Sequence, residues 1–398
     1  MSVLTQASYE FMNRPSDERF TNLLDLHSFT SDQHDRSKQA VMSSRKLSFS
    51  PTKDNRGIIL EGNHSYANPT HWSFTQLSQL AGVPSSLLRT QCENGLSPLA
   101  ADNLNAGLKV IREIEDVGIL LRENETKTTK GVYGVNNGLR QNLRQNVTLA
   151  AATGPKYGRI WNREVTKELV KRFGNGTTDT DWKVPGMFGV SLDEITKENT
   201  TLYASDRDMF VFLADETNRI TLPNRRSNES GTLARGFFIY NSEVGSKSLG
   251  IAFFLFDYVC CNRIVWGVEE FEKIAIRHTS GAPDRWLEEL IPTLKAYHNA
   301  SVRPIEAKLI GAQNNKLSNS NEFLLKRFTK KQTELIEIAH LREEARPIET
   351  LWDCTVAVTT YAKTLSNTDD RVELEREGGR ILNLAPSEYK TTSLERLF

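Results

Sequence analysis

Residues 235–267, RGFFIYNSEVGSKSLGIAFFLFDYVCCNRIVWG, hold two apolar runs on either side of a polar break. The runs, at 236–240 and 249–256, are rich in aromatic and β-branched residues, which are typical of strands. The break, at 241–247, contains the Asn, Ser and Gly residues that favour turns. The stretch therefore predicts a long β-hairpin over about 235–258.

Both faces of the second predicted strand are apolar, because successive side chains of a strand point to opposite sides of the sheet. One side carries residues 249, 251, 253 and 255, and the other carries residues 250, 252, 254 and 256. Neither side can stay in water along its whole length, so one requires a layer of helices and the other a second layer, a neighbouring subunit or a ligand. We therefore expect self-association through this sheet or through the helices predicted between 322 and 365.

The pattern outside the hairpin predicts a mixed fold. Short apolar runs at 117–122 and 209–213 indicate further strands, whereas amphipathic helical patterns occupy 322–345 and 348–365. A helix is also predicted over 164–173. The predicted fold class is α+β: an antiparallel sheet with a long central hairpin, packed with helices, followed by a helical C-terminal third.

We divide the chain into three regions. The first, 1–55, is polar with few large apolar residues, so it predicts a loosely ordered N-terminal arm. A short docking helix around Leu23 and Leu26 is the alternative. The second region, 56–268, is the predicted α+β core, and the third, 269–398, is the helical C-terminal region.

The composition limits the class and the location of the protein. Its 398 residues carry 50 basic and 50 acidic side chains, which excludes a uniformly basic nucleic-acid coat but permits a local basic patch. The four cysteines lack zinc-binding spacing, and neither a signal peptide nor an apolar run of the ~20 residues that span a bilayer is evident. We expect a cytoplasmic protein with no membrane contact, no metal and no cofactor.

A basic segment, 121–172, is the strongest functional signal. It holds eleven basic and four acidic residues, an excess of +7 in a neutral chain. Within it, 156–163 places Arg and Lys beside Tyr and Trp, a combination that binds phosphates and stacks on the bases of a single strand. If this part were a strand, residues 157, 159, 161 and 163 would share one face. The alternative is a solvated charged face with Tyr157 and Trp161 packed in the core.

The candidate residues for binding nucleic acid combine this segment with arginines nearer the hairpin. They are Arg140, Arg144, Lys156, Tyr157, Arg159, Trp161, Arg163, Arg225, Arg226 and Arg235. We predict no catalytic residue, because the chain has no phosphate-binding glycine loop, no HExxH zinc motif and no serine elbow. The acidic residues flanking the strand at 209–213 suit a magnesium-dependent nuclease, although polar strand ends are the simpler explanation.

Three segments carry a family resemblance. The hairpin has an Asn-Ser turn after its first strand and runs into VCCNR at 259–263, 156–162 is KYGRIWN, and 74–84 is a short helix pattern ending in Gly-Val-Pro. These features resemble a family of phage- and plasmid-encoded proteins known as domain of unknown function 932, over about 60–290. At the turn, Ser-Glu-Val-Gly at 242–245 replaces the family's Ser-His-Asp-Gly, so no role of that histidine transfers.

The resemblance implies a protein of a mobile element, distantly related to recombinases that anneal single-stranded DNA. We expect it to bind single-stranded nucleic acid, DNA in the first place, and to promote strand annealing or recombination as a homo-oligomer rather than to act as an enzyme. The alternative is an anti-defence or regulatory protein that binds a host protein through the hairpin and the C-terminal helices. A metal-dependent nuclease is the third hypothesis.

Overall fold

The structure is a computed structural model. It describes residues 16–62, 66–110, 116–124, 147–177, 179–185, 195–198, 200–223, 230–257, 262–264, 274–365 and 368–384. Within these ranges the chain forms fifteen strands and eleven α-helices. The strands are β1 (Arg19–Phe20), β2 (Ser37–Ser43), β3 (Phe49–Pro51), β4 (Ile58–Glu61), β5 (Tyr66–Pro69), β6 (Asp116–Glu123), β7 (Val147–Thr153), β8 (Trp182–Lys183), β9 (Leu202–Ala204), β10 (Met209–Asp215), β11 (Ile220–Leu222), β12 (Gly231–Asn241), β13 (Leu249–Asp257), β14 (Asn262–Ile264) and β15 (Ile274–Ile276).

The helices lie in the N-terminal third, after β7 and throughout the C-terminal third. They are α1 (Leu23–Asp35), α2 (His71–Leu80), α3 (Ser85–Glu93), α4 (Ser97–Val110), α5 (Asn162–Phe173), α6 (Ala282–Asn299), α7 (Arg303–Asn314), α8 (Ser320–Leu325), α9 (Lys330–Glu344), α10 (Leu351–Lys363) and α11 (Thr368–Leu382). The predicted α+β class, the helix over 164–173 and the helical C-terminal third are confirmed.

The described strands form two sheets. The larger one is antiparallel, with the order β1-β9-β10-β12-β13-β14, and β8, β11 and β15 pair beside β10, β12 and β13. The smaller one has the order β2-β6-β7-β5-β4-β3, and its β5–β7 pair is parallel. The strands predicted as one antiparallel sheet therefore belong to two sheets.

The central hairpin consists of β12 and β13. Its register pairs Phe237 with Phe253 and Tyr240 with Gly250. One face packs into a core with α1, α5 and α6, while the other face carries a cluster of aromatic rings from β9, β10, β12 and β13 whose side chains are all buried. Both faces are buried within one chain, so of the three alternatives for the second face it is the second layer that the structure supplies.

The C-terminal helices share a core with the larger sheet. Every residue from Leu351 to Ala362 of α10 is buried, since α7, α9, α11 and strand β14 surround this helix. The same apolar cluster includes Ile220, Leu233 and Leu255 of the sheet. A boundary near residue 268 would thus separate chain segments that pack into one core.

The described part of the N-terminal region, from residue 16 onward, is folded. Strand β1 pairs with β9, β2 pairs with β6 along seven residues, and Leu23 and Leu26 of α1 are fully buried. The prediction of a loosely ordered arm is wrong here, because a few apolar side chains inserted against α5 and the pairing of β2 offset the cost of ordering a polar chain. Residues 1–15 lie outside the described residues.

Two further features bear on the class of protein. In the described part of the chain, no helix has the length and apolar character needed to cross a membrane. Cys92 and Cys354 are buried free thiols. Cys260 and Cys261 lie outside the described ranges.

Candidate functional site

The turn of the central hairpin is inserted between the two sheets. Residues 241–244 are buried, and the Val244 carbonyl accepts hydrogen bonds from Trp72 Nε1 at 3.0 Å and Gln76 Nε2 at 2.7 Å. Gln76 Oε1 in turn accepts the backbone N–H of Ala152 at 3.0 Å, which ties the turn to β7 through α2. Gly245 has φ of +86°, a left-handed conformation that favours glycine. The turn therefore connects the two sheets rather than forming an exposed loop, and we call residues 241–245 with their contacts the joint.

The predicted basic-aromatic segment is a loop that lies against this turn. After β7 ends at Thr153, the chain runs without strand pairing until α5 begins at Asn162. Gly158 donates its N–H to the His278 carbonyl at 3.1 Å, and a Cβ at Gly158 would lie only 1.8 Å from the Thr279 carbonyl oxygen. Residues 157–161 are therefore not a strand, and the shared face that a strand would give to residues 157, 159, 161 and 163 does not form.

Tyr157 is held inside the joint. Its hydroxyl donates to the Ser242 carbonyl at 2.9 Å, and its ring stacks on His278 with ring centres 4.9 Å apart. Burial raises the pKa of Tyr157 and lowers the pKa of His278 to about 4. The prediction that Tyr157 stacks on bases is therefore wrong for this structure, because both ring and hydroxyl are already engaged.

Glu243 organises the charges at the joint. Its Oε2 accepts a hydrogen bond from Arg122 Nη2 at 2.8 Å, and both side chains are more than nine-tenths buried. Its Oε1 accepts the backbone N–H of Asn162 at 2.8 Å, the first residue of α5. A carboxylate at the first turn of a helix also interacts favourably with the helix dipole. One carboxylate thus pairs a buried guanidinium and fixes the start of α5.

Arg159 is a second buried guanidinium whose charge interacts with that of Glu243. The residue is 7% exposed and lies over the rings of Tyr157 at 5.2 Å and Trp161 at 5.6 Å. Its Nε donates to Gln39 Oε1 at a long 3.4 Å, and its Nη1 has no hydrogen-bond partner among the described residues. Burial lowers the pKa of Arg159. The described residues therefore place two buried guanidinium groups beside one buried carboxylate, which leaves one positive charge in excess.

Trp161 and the cations around it lie nearer the surface. Trp161 is half-buried, with its ring edge-on to His34 at 4.6 Å. Lys156 is exposed, whereas Arg163 already pairs with Asp35 at 2.9 Å. Lys156 and Trp161 are thus available to a ligand, and Arg163 is available only if it leaves Asp35.

The remaining predicted residues do not join this group. Arg235 is 1% exposed, pairs with Asp215 at 2.8 Å and donates to the carbonyls of Ala300 and His298. Its prediction as a nucleic-acid contact is wrong, because its charge is neutralised inside the core beneath α6. Four predicted arginines lie outside the described residues: Arg140, Arg144, Arg225 and Arg226.

The acidic residues of β10 do not converge. Asp208 immediately precedes β10 and Asp215 ends it, so they lie about 23 Å apart at the rise of a β-strand. Each is fully buried and faces a cation: Lys247 at 3.5 Å from Asp208, and Arg235 from Asp215. No group of three or more metal-binding side chains occurs among the residues described. The basis for the magnesium-nuclease hypothesis is therefore missing from this strand.

A shallow cavity opens beside the joint. Its volume is about 370 Å³, and Gln76, Gln79, Thr153, Tyr157 and Gly245 are among the residues that line it. Lys156 is an exposed residue of the loop between two lining residues, Gly154 and Tyr157. Sequence reasoning missed Gln76, Arg122 and Glu243. Glu243 could have been found as an acidic residue in a turn between two strands that are apolar on both faces.

Comparison with known proteins adds no identity. No protein-family model matches the chain, and no curated protein or solved structure shows significant similarity to it. The resemblance to the phage and plasmid family stays a prediction.

Proposed function

We propose that the protein binds single-stranded nucleic acid, with Lys156 and Trp161 as its surface contacts and the buried Arg159 as the group that pairs with a phosphate. The observation that supports this is the excess buried charge of Arg159, beside a half-exposed Trp161. A buried cation without a counter-charge lowers the stability of the free protein. Proteins retain such unfavourable arrangements at sites where a bound ligand supplies the missing anion. A phosphate group has the charge and the acceptors that this guanidinium lacks.

The route to Arg159 passes Gln39. Gln39 is an exposed side chain, and its contact with Arg159 Nε is long at 3.4 Å. A phosphate oxygen that replaces Gln39 Oε1 pairs with the guanidinium at little cost. The exposed part of Trp161 then offers aromatic surface for base stacking, worth about 1–3 kcal/mol per base.

The wider biological setting follows the family resemblance. The strand is DNA in the first place, the location is a bacterial cytoplasm, and the activity is annealing of complementary strands by a homo-oligomer. A host-protein partner is the competing proposal. The hairpin turn does not support it, because residues 241–244 are buried inside the chain.

The decisive variant is Arg159→Met. If Arg159 serves binding, the variant loses oligonucleotide affinity but keeps its stability; if Arg159 serves the fold, the variant loses stability. Methionine keeps the apolar stem against Tyr157 and Trp161 and removes the uncompensated charge. We expect thermal stability to fall by no more than about 1 kcal/mol, or to rise. Binding of a labelled oligonucleotide, measured by fluorescence anisotropy, should weaken for every sequence, and the salt dependence should flatten by about 0.7 per lost phosphate contact.

Arg122→Met is the matched control, since Arg122 is equally buried but paired with Glu243. It should lower stability clearly. Lys156→Ala should flatten the salt dependence as Arg159→Met does, whereas Lys109→Ala, an exposed lysine on α4, should leave it unchanged. Native oligonucleotide affinity in both Arg159→Met and Lys156→Ala, with intact melts, would refute the proposal.

A further inference from the structure

Helix α9 carries apolar side chains on two opposite faces. Ile336 and Ala339 are buried against the neighbouring helix α10. On the other face, Leu335, Ile338 and Leu341 are 38%, 45% and 55% exposed. At 100° per residue these three side chains form one stripe, about half a turn away from the buried face. A stripe of three large, exposed apolar residues is a surface that another helix can cover.

Two charged residues flank the stripe symmetrically. Glu334 and Arg342 are exposed on the same face, each four positions from Ile338. Neither forms an ion pair within the part of the chain that the structure describes. A helix that packs here meets a negative charge on one side of Ile338 and a positive charge on the other.

We infer that α9 is a homodimer contact in which two copies cross antiparallel at Ile338. In that arrangement a residue before Ile338 faces the residue equally far after it in the second copy. Leu335 then meets the partner's Leu341, and Glu334 meets the partner's Arg342. A parallel arrangement would instead place Glu334 against Glu334 and Arg342 against Arg342, which costs free energy. The charge pattern therefore selects a second copy of this chain as occupant and fixes its direction.

Both ends of α9 are fixed by local structure. A capping box between Thr329 and Gln332 fixes its first turn, and Ala345 in the left-handed conformation ends it. Because three apolar residues per copy form an interface below the about 1,200 Å² typical of stable complexes, we expect a dimer that depends on protein concentration. The dimer forms without nucleic acid. A test of this inference is therefore independent of a test of the proposed function.

The test is charge exchange in the full-length protein, followed by sedimentation velocity from about 1 to about 100 μM. Wild type should show a monomer–dimer equilibrium. Glu334→Arg places two arginines together at each end of the contact, and Arg342→Glu places two glutamates together. Each single variant should weaken dimerisation by at least about tenfold. The double variant E334R/R342E restores both opposite-charge pairs and should recover it.

Mixing the two single variants provides the sharpest readout. In a mixed dimer one copy carries arginine at both positions and the other carries glutamate at both. Each residue 334 therefore faces an opposite charge at residue 342 of the other copy. The mixture should therefore dimerise although neither component does alone. Asp102→Arg and Lys109→Glu, exposed on α4, change the net charge equally and should leave dimerisation unchanged. A wild-type monomer at all concentrations, or single variants that dimerise normally, would overturn the inference, and binding of a different protein to this stripe in a monomeric chain would do the same.

Discussion

Replacing Glu243 by Gln removes the carboxylate that pairs with Arg122 and interacts electrostatically with Arg159. The substitution is nearly isosteric, so it tests charge rather than volume. Glu243 accepts from Arg122 Nη2 and from the Asn162 N–H, both at 2.8 Å, through its two oxygens. An amide keeps one acceptor and points its NH₂ group at a donor. The variant thus leaves two buried guanidinium groups uncompensated and weakens the start of α5.

The expected loss is large. Breaking a buried ion pair by removing one partner costs about 3–5 kcal/mol, because the remaining charge stays in a poorly solvated site. For a chain of 398 residues this corresponds to a fall of about 4–6 °C in the melting temperature. By contrast, Glu123→Gln affects an exposed pair with Lys38 and should leave the melting temperature nearly unchanged.

The assay is a double-mutant cycle read by calorimetry or urea unfolding. Arg122→Met alone should destabilise the protein, but E243Q combined with R122M should cost less than the two single losses together, with a coupling of at least about 1.5 kcal/mol. Additive losses within about 0.5 kcal/mol would refute the view that Glu243 and Arg122 form one unit. A Glu243→Gln variant as stable as wild type would show that the joint does not depend on this charge.

Two further predictions concern the same joint. The pKa of His278 is about 4 in the folded protein against an ordinary 6.5, so its contribution to stability is complete above pH 6.5 and is lost as the pH falls towards 4, by on the order of 3 kcal/mol. His278→Gln should reduce the acid sensitivity of the melting temperature. The part due to His27 and His71, whose pKa values burial also lowers, should remain. An unchanged acid profile would contradict this. Gly158→Ala should cost about 1–3 kcal/mol or more, because its Cβ would collide with the Thr279 carbonyl, whereas Gly154→Ala, with open space around it, should be nearly neutral in thermal melts. Equal melts for the two alanine variants would contradict the close contact at Gly158.

Local patterns in the sequence determined the elements of this fold. The two aromatic runs around Asn241 predicted the hairpin because strand propensity and turn residues act over a few positions. The start of α5 near Glu164 and the helical C-terminal third followed from apolar spacing in the same way. The apolar character of both hairpin faces also predicted a second layer, and the structure supplies it from the same chain.

Only the tertiary structure decided which charges face solvent. Arg159 and Lys156 stand three residues apart in one basic segment, yet Arg159 is buried over the rings of Tyr157 and Trp161 whereas Lys156 is exposed. Their environments depend on the hairpin turn at Glu243, more than 80 residues later, which enters between the sheets and brings Arg122 of β6 to α5. Arg235 differs for the same reason, because its partner Asp215 and its cover α6 arrive from distant parts of the chain. A charge in sequence has no fixed solvation until distant segments pack around it.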